Sequence, residues 1–129
     1  MKRLFGKKGF TLIEIVIVIV LLSILAAVAY PKYLDLRDDA HRSADLATIS
    51  ALRAGVHIYF AKNHEFPGKD DLLKCLEDGK LPDGWTIKWN DDGDVATITC
   101  NGLPSTGETH SWTYTVADGS ITDAGGHDL

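Results

Sequence analysis

The sequence predicts an α+β protein in which one long N-terminal helix packs on a four-stranded antiparallel sheet. Three features carry that expectation. A run of apolar residues near the N-terminus passes into an amphipathic pattern of helical period that continues to about Asn63. Turn-forming residues then interrupt the chain from Asn63 to Gly68. From Trp85 onward, short alternating segments rich in Thr, Ile, Val and Trp are separated by Asp- and Gly-containing turns, the pattern of β-hairpins.

The 129 residues suffice for one folded domain, and 45% apolar content argues against a disordered chain. The apolar residues are concentrated: between Ile15 and Tyr30 only Ser23 is polar. Charge divides at the same place. Lys2, Arg3, Lys7 and Lys8 give the first nine residues +4, so the formal net −5 leaves −9 for everything after Gly9. So acidic a body lacks the Lys and Arg surplus that nucleic-acid binding requires, and no direct nucleic-acid partner is expected.

As a helix, the 21 residues from Phe10 to Tyr30 span about 31 Å, the thickness of a bilayer's hydrocarbon core. The basic residues before them favour a cytoplasmic N-terminus and an exported body. A secretory signal is one reading, since Ala26, Ala27 and Ala29 imitate a small-residue cleavage site, and a plain anchor is another. The residues upstream point to a third. Lys7-Lys8-Gly9-Phe10-Thr11-Leu12-Ile13-Glu14 resembles the type III signal of type IV prepilins, and the similarity runs from Lys7 to about Tyr33.

That resemblance implies a structural, non-enzymatic filament subunit with no cofactor. It implies leader cleavage between Gly9 and Phe10 and N-methylation of Phe10. The implied partners are further copies of the chain in a helical filament, a prepilin peptidase, an assembly platform and its motor ATPase. The implied location is the bacterial inner membrane before assembly and an extracellular pilus afterwards, serving adhesion, motility or DNA uptake. A type II secretion pseudopilin is the nearest alternative, and a membrane-anchored binding domain or enzyme is the alternative of another class.

Glu14 supports the resemblance on physical grounds. A carboxylate within an apolar membrane segment costs about 2.5–3.5 kcal/mol on the insertion scale unless a partner relieves it. Cleavage after Gly9 would create a cationic amine on Phe10, one helical turn away, able to pair with its own Glu14 or with that of a neighbouring subunit. Favourable placement in the dipole of a helix N-terminus is the simpler explanation of Glu14. Pro31 marks the end of the apolar run, where a kink, a local break or a mere membrane exit is expected.

The expected segments are a leader over 1–9, a membrane or filament-core half-helix over 10–30, an amphipathic half-helix over 31–63, and a region over 64–129 that packs with 31–63 as one head. In the amphipathic half, Leu46, Ile49, Leu52, Val56 and Phe60 form a bulky stripe expected to pack on the head. Leu36, Ala40, Ala44, Ala47, Ala51, Ala54 and Ile58 form an adjacent small-residue stripe that permits close approach, with core packing as the default. The stretch Tyr30 to Ala40 is more similar to mannose-sensitive-haemagglutinin-type pilins than to the commonest pilins.

A short helix is expected over Lys69–Leu76, with Gly79 at its exit. Strands are expected at Trp85–Trp89, Val95–Cys100, Ser111–Val116 and Ser120–Thr122, followed by a flexible tail from Asp123. Cys75 and Cys100 lie beyond the membrane segment, where an oxidising compartment would permit a disulfide closing a 26-residue loop; two free thiols are the alternative. Cys100 leaves 29 residues after it, so the C-terminal disulfide loop of many pilins does not carry over. Asp91, Asp92 and Asp94 are weak calcium candidates in what reads as an acidic hairpin turn. His41, His57, His64, His110 and His127 show no metal spacing and read as surface residues.

Overall fold

The computed structural model describes residues 8–126. Most of the expected leader, and His127, lie outside the described residues.

A single helix, α1, runs from Leu12 to Asn63 over 52 residues. Helical backbone continues on both sides of Pro31, so the local break considered above does not occur. The helix ends at Asn63, and His64 takes a left-handed φ of 59°, the conformation that turns a chain away from a helix C-terminus. The chain forms two compact units, one ending at Asp35 and the other starting at Leu36. In the first, every described residue except the half-buried Leu34 is exposed.

The second unit contains the rest of α1, a 3-10 turn η1 (Leu72–Cys75) and four strands: β1 (Thr86–Trp89), β2 (Val95–Thr99), β3 (His110–Thr115) and β4 (Ile121–Gly126). The strands form an antiparallel meander in the order β1-β2-β3-β4. This is the α+β architecture the sequence predicts. Burial alternates along β3, where His110, Trp112 and Tyr114 face inward and Ser111, Thr113 and Thr115 face out. Ile49, Leu52 and Val56 of α1 join Leu72, Ala96, Ile98, Trp112, Tyr114 and Ile121 in one core. Trp85 stacks on Trp112 with ring centroids 5.6 Å apart, and Trp89 meets Tyr114 edge-on at 6.2 Å. The Tyr114 hydroxyl donates to the Pro67 carbonyl at 2.7 Å, which ties the loop after α1 to β3.

Four expectations need correction. Leu46 and Phe60 belong to the bulky stripe but are 43% and 39% exposed, Phe60 stacking on Phe66 with ring centroids 4.4 Å apart, whereas Asp38 and Asp45 of the same helix are buried. Those carboxylates find polar partners there: Asp38 accepts from both the backbone N–H and the hydroxyl of Ser105. The small-residue stripe from Leu36 to Ile58 is exposed along its length rather than packed in the core, with Ala51 bordering a cleft beside Leu76, Leu81 and Pro82. The short helix shrinks to η1, which lies so close to α1 that a Cβ at Gly55 would collide with the Cys75 carbonyl oxygen. The supposed tail is strand through Gly126, with a bulge at Ala124 where Ser111 pairs with Gly125 and Trp112 with Asp123.

Candidate functional site

The helix start is the candidate site, and its geometry begins with Thr11. The Thr11 backbone N–H donates to Glu14 Oε2 at 2.7 Å and its hydroxyl donates to the same oxygen at 3.0 Å. The Glu14 N–H donates back to Thr11 Oγ1 at 3.2 Å. This reciprocal arrangement is a capping box, which satisfies donors that a helix N-terminus otherwise leaves open. The T-x-x-E spacing announces it, yet a reading centred on the charge of Glu14 passes it over. Gly9, Phe10 and Thr11 lie outside the helix, and Phe10 is 83% exposed. Phe10, Glu14 and Val18 follow one another along one side of the N-terminal unit.

Beyond the box, the large apolar side chains from Ile13 to Val28 are all at least 40% exposed. Ser23, the polar exception, returns its hydroxyl to the Ile19 carbonyl at 2.7 Å and so presents no unmet donor. Among the described residues, α1 is the one helix long and apolar enough to cross a membrane. The N-terminal unit thus combines an exposed apolar surface with a carboxylate held at its end.

Residues 4–30 match the family described as "Prokaryotic N-terminal methylation motif". A 99-residue stretch, 77% of the chain, is 36% identical to the type IV narrow pilus major component of Thermus thermophilus and covers 83% of that protein. The chain belongs to the type IV pilin family. Within it, the type II secretion system core protein G of Pseudomonas aeruginosa is 33% identical over 67% of this chain and 61% of its own length. A fimbrial protein of Neisseria meningitidis is 41% identical over half of this chain, and the match spans 38% of that protein. No solved structure matches the chain.

In this pilin the expected Cys75–Cys100 disulfide is not formed, and both residues are free thiols. The turns of α1 that each one touches give the reason. Cys75 lies against Gly55, whereas the Cys100 thiol bonds the Asp45 carboxylate. Residues ten positions apart on a helix are separated by about 15 Å, well beyond the roughly 4.4–6.8 Å between the Cα atoms of a disulfide. Cys75 donates to the Asp71 carbonyl at 3.7 Å, and Cys100 accepts the His110 N–H at 3.3 Å. Burial pushes the Cys100 thiol up to about 11, and the neighbouring Asp45 carboxylate adds to the rise. Burial likewise raises the Cys75 thiol.

The acidic turn forms around Asn90, whose side-chain carbonyl accepts the N–H groups of Asp94 and Val95, each at 3.1 Å. Its amide donates to Asp94 Oδ1 at 2.6 Å. Asp91, Asp92 and Asp94 lie in this turn, and among the described residues no three carboxylate, His or Cys side chains converge as a metal set. His110 departs from the surface reading: it is 4% exposed, and its Nε2 lies 2.7 Å from Asp123 Oδ1. The Gly125 N–H, and after it His110, hold the Asp123 carboxyl below its ordinary value. The order of β4 beyond Thr122 coincides with these contacts. Sequence periodicity had no means to signal a partner 13 positions away.

Proposed function

We propose that this pilin is the repeating subunit of a type IV pilus. The exposed apolar surface from Phe10 to Tyr30, ending in Glu14 and carried by a pilin-family chain, is the observation that supports this most directly. In a bilayer that surface meets acyl chains; in a filament it meets the same surface of other copies. The inner membrane holds the subunit with its N-terminus cytoplasmic and the head exported. A prepilin peptidase cleaves after Gly9, the amine of Phe10 is methylated, and an assembly platform with a motor ATPase extracts the subunit. Glu14 then leaves the Thr11 cap to pair with the Phe10 amine of a neighbour, which replaces two isolated charges in an apolar setting by one ion pair. Pro31 is the place where the helix yields during packing. The likeness of Tyr30–Ala40 to mannose-sensitive-haemagglutinin-type pilins joins this proposal as its finer part, with surface adhesion, motility or DNA uptake as the pilus activity.

The similarity to secretion-system core protein G supports a second reading, a pseudopilin in a short periplasmic filament. Electron microscopy of filaments sheared from cells, with mass spectrometry of their subunit, separates the readings. Surface filaments built of a subunit starting at methylated Phe10 are the expected result. A subunit retaining Met1 and absent from every filament would overturn both readings.

A further inference from the structure

The apolar run of the N-terminal unit ends in a ring of three amphipathic side chains. Tyr30 and Tyr33 are 66% and 58% exposed, and Lys32 between them is exposed as well. Successive helix positions are about 100° apart, so the three side chains surround the helix rather than share one face. Among the described residues Lys32 enters no ion pair, not even with Asp35 one turn further on. Pro31 stands inside the ring and has no N–H to offer the Ala27 carbonyl. Helix carbonyls point toward the C-terminus, so this one is a liability deep in hydrocarbon and is satisfied where water reaches the ring.

We propose that Tyr30, Lys32 and Tyr33 bind the phospholipid headgroups at this end of the helix and so fix its depth in the membrane before assembly. The inference rests on the membrane reading above and adds the lipid contact to it. A tyrosine ring lays its apolar body against acyl chains and turns its hydroxyl to the ester and phosphate oxygens. Lys32 runs its methylenes along the apolar side and carries its ammonium out to a phosphate, with no ion pair to break first. The aliphatic side chains of a second copy's apolar run would leave that ammonium without a partner, which favours the headgroup over another subunit. Depth follows from the ring. Glu14 stands 16 residues before Tyr30, about 24 Å along the helix axis. With Tyr30 at one boundary of a hydrocarbon core about 30 Å thick, Glu14 lies within about 6 Å of the other boundary, far from the bilayer centre where a carboxylate costs most.

The test places a spin label at Val28→Cys in the full-length pilin, with Cys75→Ala and Cys100→Ala, in vesicles of phosphatidylcholine and phosphatidylglycerol. One set of vesicles has myristoleoyl chains and the other the longer oleoyl chains. The label's relative access to oxygen and to a water-soluble nickel chelate reports its depth. The basic residues before Phe10 hold the opposite end of the helix, so a helix without its ring should be drawn inward as the bilayer thickens. With the native ring, the label should keep its distance from the nearby headgroups in both sets. Tyr30→Gln, Lys32→Gln and Tyr33→Gln together end the apolar run at the same place without an anchor. In that variant the label should sink in the thicker bilayer by at least half a helical turn, about 3 Å. Tyr30→Trp, Lys32→Arg and Tyr33→Trp together should behave as the native ring does. A glutamine variant that holds its depth, or a Trp–Arg–Trp variant that sinks, would overturn the proposal. A label at Val28→Cys as open to the chelate as one at the exposed Lys69→Cys would place the helix outside the bilayer and overturn the membrane reading along with the proposal.

Discussion

The two parts of α1 share one backbone ladder and differ in what their side chains meet. Up to Tyr30 the helix is exposed and, but for Glu14 and Ser23, apolar, whereas from Leu36 it is studded with charges and buries a face that begins with Asp38 and Asp45 before reaching Ile49, Leu52 and Val56. Hydropathy alone would rank the two the other way round for burial. What decides burial is the surface offered opposite: the sheet and its loops give carboxylates and aliphatic side chains their partners in the head, while among the described residues nothing covers Ile15 or Leu25. An apolar surface left open on this scale implies a partner outside the fold, a membrane or other subunits.

The comparison can be broken most sharply at Glu14. Glu14→Ala is expected to abolish filaments while export, cleavage and head stability stay normal, as read by filament yield, subunit mass and unfolding. Normal yield would remove the assembly role and leave Glu14 a helix cap. Next in size is a pair of equal truncations, Leu52→Ala in the head and Leu22→Ala in the N-terminal segment. Leu52 is fully buried and its truncation should cost the head about 2–5 kcal/mol. Leu22, 58% exposed, should change head unfolding by less than about 0.5 kcal/mol. All three tryptophans, Trp85, Trp89 and Trp112, belong to the head, so their fluorescence in detergent-solubilised protein reports its unfolding alone.

Gly55→Ala should cost about 1–3 kcal/mol, since the added methyl meets the backbone of Cys75 rather than a flexible side chain. Gly9→Ala, whose Cβ would meet nothing within 4 Å, should leave the head's stability unchanged. The smallest effect concerns Cys100. Its folded value near 11 exceeds the ordinary 9, so its contribution to stability is fully present below pH 9 and is lost as pH rises through about 11. Cys100→Ala should flatten that part of the alkaline stability profile. In the folded wild type at pH 8, a thiol reagent should label Cys75 ahead of the more buried Cys100, with both thiols available once the chain unfolds.

Long-range ties explain where sequence reading stopped. The helix, its end at Asn63 and the hairpins at Gly93 and Gly119 rest on periodicity and on turn residues close in sequence, and the structure has all of them. The Thr11–Glu14 cap was equally local and therefore legible. The inward turn of Asp38 depends on Ser105, 67 positions away, and the separation of Cys75 from Cys100 depends on which turn of α1 each one touches.

By itself, then, the sequence determined the segment able to span a bilayer, the basic residues before it, the place of Glu14 within it and the order of strands. Each of these follows from local spacing and from the transfer energy of side chains. The tertiary structure decided which helix face is covered, that the cysteines stay apart, that His110 is interior and that β4 runs to Gly126. Those outcomes depend on pairings between distant residues, whose free energies exist only once the helix and the sheet have come together.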